Sequence, residues 1–113
     1  MHWFLFQKMI RTQEINDIVQ RIADKFNPDK IILFGSYAAG NSDDDSDIDL
    51  LIIKDSDLTR HRRSFDIQKY LIGSMIPMDI LVYTTSEFEQ EKKDKYSFIS
   101  SAIKSSKVLY ERK

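Results

Sequence analysis

Cysteine is absent from the 113 residues, which excludes disulfides and thiolate zinc sites. Only two histidines occur, His2 and His61, and they give no zinc-ligand spacing. A long apolar run is missing as well. The apolar opening, MHWFLFQKMI, is far short of the roughly 20 residues a membrane span needs. It also lacks the basic start and small-residue cleavage site of a signal peptide, so the default location is the cytoplasm. Neither sign of charge is in excess, with 17 basic against 18 acidic residues, so bulk attraction to nucleic acid or to an acidic membrane is not indicated. There is no internal repeat, low-complexity tract or interdomain linker. The length predicts one domain, residues 1–113, with little room for a separate substrate-recognition unit.

What is present is an ordinary globular composition, 42% apolar and 12% aromatic. Ile15, Ile18, Val19, Ile22 and Phe26 recur at helical spacing, which predicts a helix over 11–26 stopped by Asn27-Pro28. Trp3, Phe4, Leu5 and Phe6 read either as core packing or a plain chain end, or as a contact surface for another chain. Ile31 to Phe34 reads as a buried strand broken by Gly35. Ser36 to Gly40 reads as a short helix, Asn41 to Ser46 as a polar loop and Ile48 to Ile53 as a second strand. A helix over Arg60 to Met75 and a strand over Met78 to Tyr83 follow. Ser86 with Glu89 looks like a capping box opening the next helix. Tyr96, Ile99, Ala102 and Ile103 suggest another helix, and Val108 to Tyr110 a last short strand. The expected fold class is α/β or α+β, a small mixed sheet packed with helices.

The chemistry gathers in Ile31 to Ile53. Asp47 and Asp49 alternate on one strand and aim their carboxylates the same way, with Cα atoms roughly 6.5 Å apart. Their oxygens could converge on two metal ions about 3.5–4 Å apart. Gly35-Ser36 ends the preceding strand, where backbone N–H groups could face a phosphate. Asp79 is the one acid inside the apolar run Pro77 to Val82. Buried and unpaired it would be costly, so metal coordination would explain it. Taken alone, Asp79 equally suits an exposed strand face. Asp43, Asp44 and Asp45 read as a solvated turn, and Gly35-Ser36 alone could be a tight turn.

The joint arrangement resembles the signature of the polymerase-β-like nucleotidyltransferase superfamily: Gly35-Ser36, ten residues, then Asp47-Ile48-Asp49. The wider string FGSYAAGNSDDDSDIDLLI is similar to its short bacterial and archaeal branch, the minimal nucleotidyltransferases. The likeness runs from about Ile15 to Glu111. It implies the polymerase-β-like fold and several roles. Gly35 and Ser36 would hold the β- and γ-phosphates of ATP. Asp47 and Asp49 would bind two Mg²⁺ ions. Asp79 would be the third carboxylate and assist deprotonation of the acceptor hydroxyl. Many relatives carry an arginine where Ala39 stands here. Phosphate neutralisation would then fall to Lys54 or to Arg60, Arg62 and Arg63, a trio that also reads as a solvated helix start.

The resemblance further implies the antitoxin half of a toxin–antitoxin pair, transferring AMP to a tyrosine of an all-helical HEPN-type toxin. A binding module that neutralises its partner by contact is the alternative. Transfer to a small molecule lacks the appended helical domain such relatives have. A nucleic-acid terminal transferase lacks a basic patch with interleaved aromatics.

Overall fold

The computed structural model describes residues 2–43 and 45–113, with side chains from residue 11 onward. Its order is α1 (His2–Phe26), β1 (Lys30–Phe34), α2 (Gly35–Ala39), β2 (Ile48–Ile53), α3 (Arg60–Tyr70), β3 (Met78–Tyr83), α4 (Thr85–Lys92), α5 (Phe98–Ala102), a 3₁₀ turn (Ile103–Ser105) and β4 (Lys107–Glu111). The four strands form one mixed sheet in the order β3-β2-β1-β4. β1 pairs antiparallel with β2 and with β4, and β2 pairs parallel with β3. The small mixed sheet with helices is the α+β architecture expected. No helix among the described residues is long and apolar enough to cross a membrane.

Both faces of the sheet are covered, which is why β2 reads as an unbroken apolar run rather than an alternating one. On one face Leu33, Leu50, Ile52, Ile80 and Val82 pack against Ile15, Ile18, Val19 and Ile22 of α1 and Ile67 of α3. On the other, Ile32, Phe34, Leu51, Ile53 and Tyr83 pack against Phe88 of α4 and Ile99 of α5. Ile22, Ile31, Leu50, Leu51, Ile52 and Ile99 are wholly buried. Each is worth about 1.5–3 kcal/mol of transfer free energy.

Several local expectations shift. The first helix begins at His2, not near Arg11, while Trp3, Phe4, Leu5 and Phe6 lie outside the described side chains. Asn27 ends it in the left-handed conformation (φ 49°), its N–H donating to the Ala23 carbonyl at 3.1 Å. The third helix stops at Tyr70, five residues earlier than the apolar spacing suggested, and the chain turns through Gly73 (φ 100°). The capping box is Thr84 with Glu87, not Ser86 with Glu89. The end of β3 at Tyr83 decides it. Thr84 is the first residue free to take an extended N-cap conformation, and Glu87 is then the third residue of the helix.

Candidate active site

β1 ends at Phe34, and Gly35 turns the chain into α2 with φ of 74°, a conformation that favours glycine. A second constraint acts at the same atom. A Cβ on Gly35 would overlap the Asp49 carboxylate. The missing side chain of Gly35 is therefore what lets Asp49 lie against the turn. β1 and β2 pair Phe34 with Asp49, and β2 and β3 pair Asp49 with Asp79. Neighbouring strands lie about 4.8 Å apart, so Asp49 and Asp79 sit side by side on one face. Asp47 precedes β2 by one residue, and buried Ile48 separates it from Asp49. Strand alternation turns Asp47 to the same face. The shared face is that of Phe34 and Leu51, toward α4 and α5.

The structure thus brings Gly35, Asp47, Asp49 and Asp79 to one end of the sheet, with Ser36 beside them. Asp49 is half-buried, while Asp47 and Asp79 are exposed. Exposure removes one argument for Asp79. It stands near the open start of β3 rather than buried in an apolar strand, so its presence there needs no metal to offset desolvation. The Asp49 carboxyl is pushed above the ordinary carboxylate range, first by burial, then by repulsion from Asp79 and from Asp47. Among the described residues, none of the three carboxylates receives a hydrogen bond or an ion pair from a protein group. This is a hard-oxygen donor set with uncompensated negative charge, the chemistry Mg²⁺ requires. In the side-chain positions shown, no three acids among the described residues stand close enough to hold an ion. Asp43 and Asp45 form the solvated turn expected, with the Asp43 carboxylate accepting from the Asp45 amide at 2.9 Å. Asp44 lies outside the described residues.

The cations proposed for phosphate neutralisation are not at this end. Lys54 follows the far end of β2, five residues and about 16 Å from Asp49. Arg63 donates to the carbonyls of Leu58 and Val82 and to Glu87, and Arg60 stacks on the Tyr83 ring at 4.0 Å. Val82 and Tyr83 are at least about 10 Å along β3 from Asp79. Arg62 pairs with Asp66. Arg60 and Arg63 thus tie α3 to β3 and α4.

Sequence reasoning missed the wall that faces the Gly35-Ser36 turn. A groove of about 440 Å³ runs between α2 and α5, lined by Phe34, Gly35, Ser36, Ala39, Asn41, Phe98, Ser101, Ala102 and Ser105. The Phe98 ring stands edge-on to Phe34 with centroids 5.8 Å apart. Phe98, Ser101, Ala102 and Ser105 have the spacing of one helix face. That periodicity was legible, but its pairing with a turn more than 60 residues earlier was not.

Comparison with known proteins places the chain by family and fold. The family model described as polymerase beta, nucleotidyltransferase matches residues 16–113. A relative from Methanocaldococcus jannaschii, named "Putative protein adenylyltransferase", is 32% identical over 105 residues, covering 90% of this chain and 100% of its own length. A crystal structure named as a putative nucleotidyltransferase from Sulfolobus solfataricus superposes with a TM-score of 0.65 at 22% identity. It covers 95% of this chain and 86% of that one, and shares the fold. The chain belongs to the polymerase-β nucleotidyltransferase family.

Proposed function

We propose that the chain is a Mg²⁺-dependent nucleotidyltransferase that moves AMP from ATP to a tyrosine hydroxyl of a HEPN-type helical toxin, silencing it as its antitoxin. The observation that carries the reading is Asp49, set in register with Asp79 and seated against Gly35. Support for a protein acceptor comes from the name of the M. jannaschii relative.

In this reading the backbone at Gly35 and the hydroxyl of Ser36 hold the β- and γ-phosphates. Asp47, Asp49 and Asp79 would hold Mg²⁺. When bound, the metal supplies neutralisation of the phosphate charge and a lower barrier to ionising the acceptor hydroxyl. The acceptor oxygen bonds to the α-phosphorus, the bond from that phosphorus to the bridging oxygen breaks, and pyrophosphate leaves. Asp79, exposed at the edge of the site, takes the hydroxyl proton. Incubation with labelled ATP, Mg²⁺ and the neighbouring gene product tests this. Label on a tyrosine of a folded partner is expected, and no label on such a partner refutes it.

A contact-only antitoxin is the second reading. It is favoured by uncharged Ala39 and by carboxylates that do not converge in the side-chain positions shown. Asp47→Asn with Asp49→Asn separates the two. Full protection of cells by that variant selects contact, and loss of protection with partner binding retained selects catalysis.

A further inference from the structure

Resting on that reading, we infer that the loop between α3 and β3, residues 71–77, is the docking surface for the acceptor protein, which meets it with an apolar patch fringed by lysine or arginine around its tyrosine. Ile72 is 80% exposed and Met75 93%. Met75 also holds a φ of 58°, a strained region for a residue with a side chain. Neither burial nor backbone preference selects methionine for this position. The loop ends at the acids. Its Pro77 carbonyl accepts at 3.0 Å from the amide of Ile48, the residue between Asp47 and Asp49. Met75 is four residues from Asp79, at most about 14 Å of chain. β3 is an edge strand, so no further strand stands beyond this corner among the described residues. A standard interface covers about 800 Å² per partner, a disc of about 16 Å radius. A protein whose tyrosine reaches Asp79 on such an interface covers Met75 as well.

Charge decides the kind of occupant. Residues 71–77, LIGSMIP, carry no charge in a chain that is 31% charged. Beside them the polar loop with exposed Asp43 and Asp45 runs into exposed Asp47, and Asp79 is exposed on the other side. Among the described residues none of these four acids has an ion pair. Uncharged apolar knobs bordered by unpaired carboxylates repel a polyanion such as nucleic acid. They complement a protein surface that is apolar at its centre and basic at its rim. The exposed Val108 has no such setting. It lies on β4, the opposite edge of the sheet from β3.

Calorimetry of the neighbouring gene product binding to the full chain, with AMP transfer measured in parallel, tests this on wild type, Ile72→Ser/Met75→Ser, Met75→Gly and Val108→Ser. The double variant is expected to weaken partner binding by about tenfold or more, the scale of one buried apolar side chain. It should raise the KM for the partner and leave ATP affinity unchanged. Met75→Gly keeps the left-handed backbone, so it should melt no lower than wild type and still lose partner affinity. Val108→Ser should bind as wild type does, and added salt should weaken wild-type binding. Wild type that modifies the partner, with the double variant and Met75→Gly matching it in affinity and KM, overturns the docking surface alone. An affinity indifferent to salt overturns the basic fringe. A wild-type dimer in sedimentation that the double variant dissolves assigns the patch to a second copy of the chain and overturns the proposal too. Wild type that neither binds nor modifies the folded partner overturns it together with the adenylyltransferase reading.

Discussion

Replacing Glu87 by Gln tests whether the arginines of α3 hold the fold rather than the nucleotide. The Glu87 carboxylate accepts from Arg63 Nη1 at 2.8 Å and Nη2 at 3.4 Å, and from the Thr84 amide at 2.8 Å. Those bonds, the Arg63 contact foremost, pull its carboxyl down from 4.5 to about 2. At 1.36 kcal/mol per unit, that sets an upper limit of about 3 kcal/mol. The Glu87 side chain is 32% exposed while that of Arg63 is 9% exposed. Solvent screening at Glu87 brings the expected loss in the variant to about 1–2 kcal/mol. A carboxyl with a depressed folded value stabilises above its unfolded value and loses that contribution as pH falls. The gap between wild type and Glu87→Gln should therefore be full near pH 6 and close as pH falls from 4.5 toward 2. Urea unfolding at several pH values reads it directly. ATP affinity of the folded variant should match wild type. A gap that does not narrow with acid refutes the ion-pair account, and a loss of ATP affinity at full folding refutes the structural assignment of Arg63.

Three other outcomes follow from the same geometry. Asp49→Asn removes a carboxyl raised by burial and by its acidic neighbours, so the variant should melt at or above wild type at neutral pH. The difference should vanish below about pH 3.8, where wild type is protonated too, and the Mg²⁺-dependent rise in melting temperature should be lost. Gly35→Ala meets both a positive φ and the Asp49 carboxylate and should lose about 1–3 kcal/mol in thermal unfolding, with ATP affinity falling as Asp49 is displaced. Arg62→Ala removes only an exposed pair with Asp66 and should change stability by less than about 0.5 kcal/mol and leave transfer intact.

The strands and the acids were legible because their signals are local. Ile31 to Phe34, Ile48 to Ile53 and Met78 to Tyr83 are short apolar runs bounded by Gly35, a polar loop and Pro77, and each is a strand. The alternation of Asp47 and Asp49 is likewise a property of one strand. Asp79 could be picked out by composition, but its exposure depended on which end of β3 meets the open end of the sheet. The capping box could not be placed from spacing alone, because Thr84-Glu87 and Ser86-Glu89 both fit it and only the end of β3 chooses. With Ala39 uncharged, Arg60, Arg62 and Arg63 read either as phosphate-neutralising cations or as a solvated helix start, and spacing could not choose. Tertiary contacts spanning 19 and 24 residues assign Arg63 elsewhere. The groove between α2 and α5 joins segments more than 60 residues apart and had no local signal at all.

The central claim is that Asp47, Asp49 and Asp79 carry nucleotidyl transfer to a partner protein. Mass spectrometry of the neighbouring gene product, co-expressed with wild type or with Asp47→Asn/Asp49→Asn, tests it most directly. The account predicts a partner heavier by one or more AMP units with wild type, located on a tyrosine, and an unmodified partner with the variant. An unmodified, folded partner with wild type, or equal modification with the variant, contradicts it.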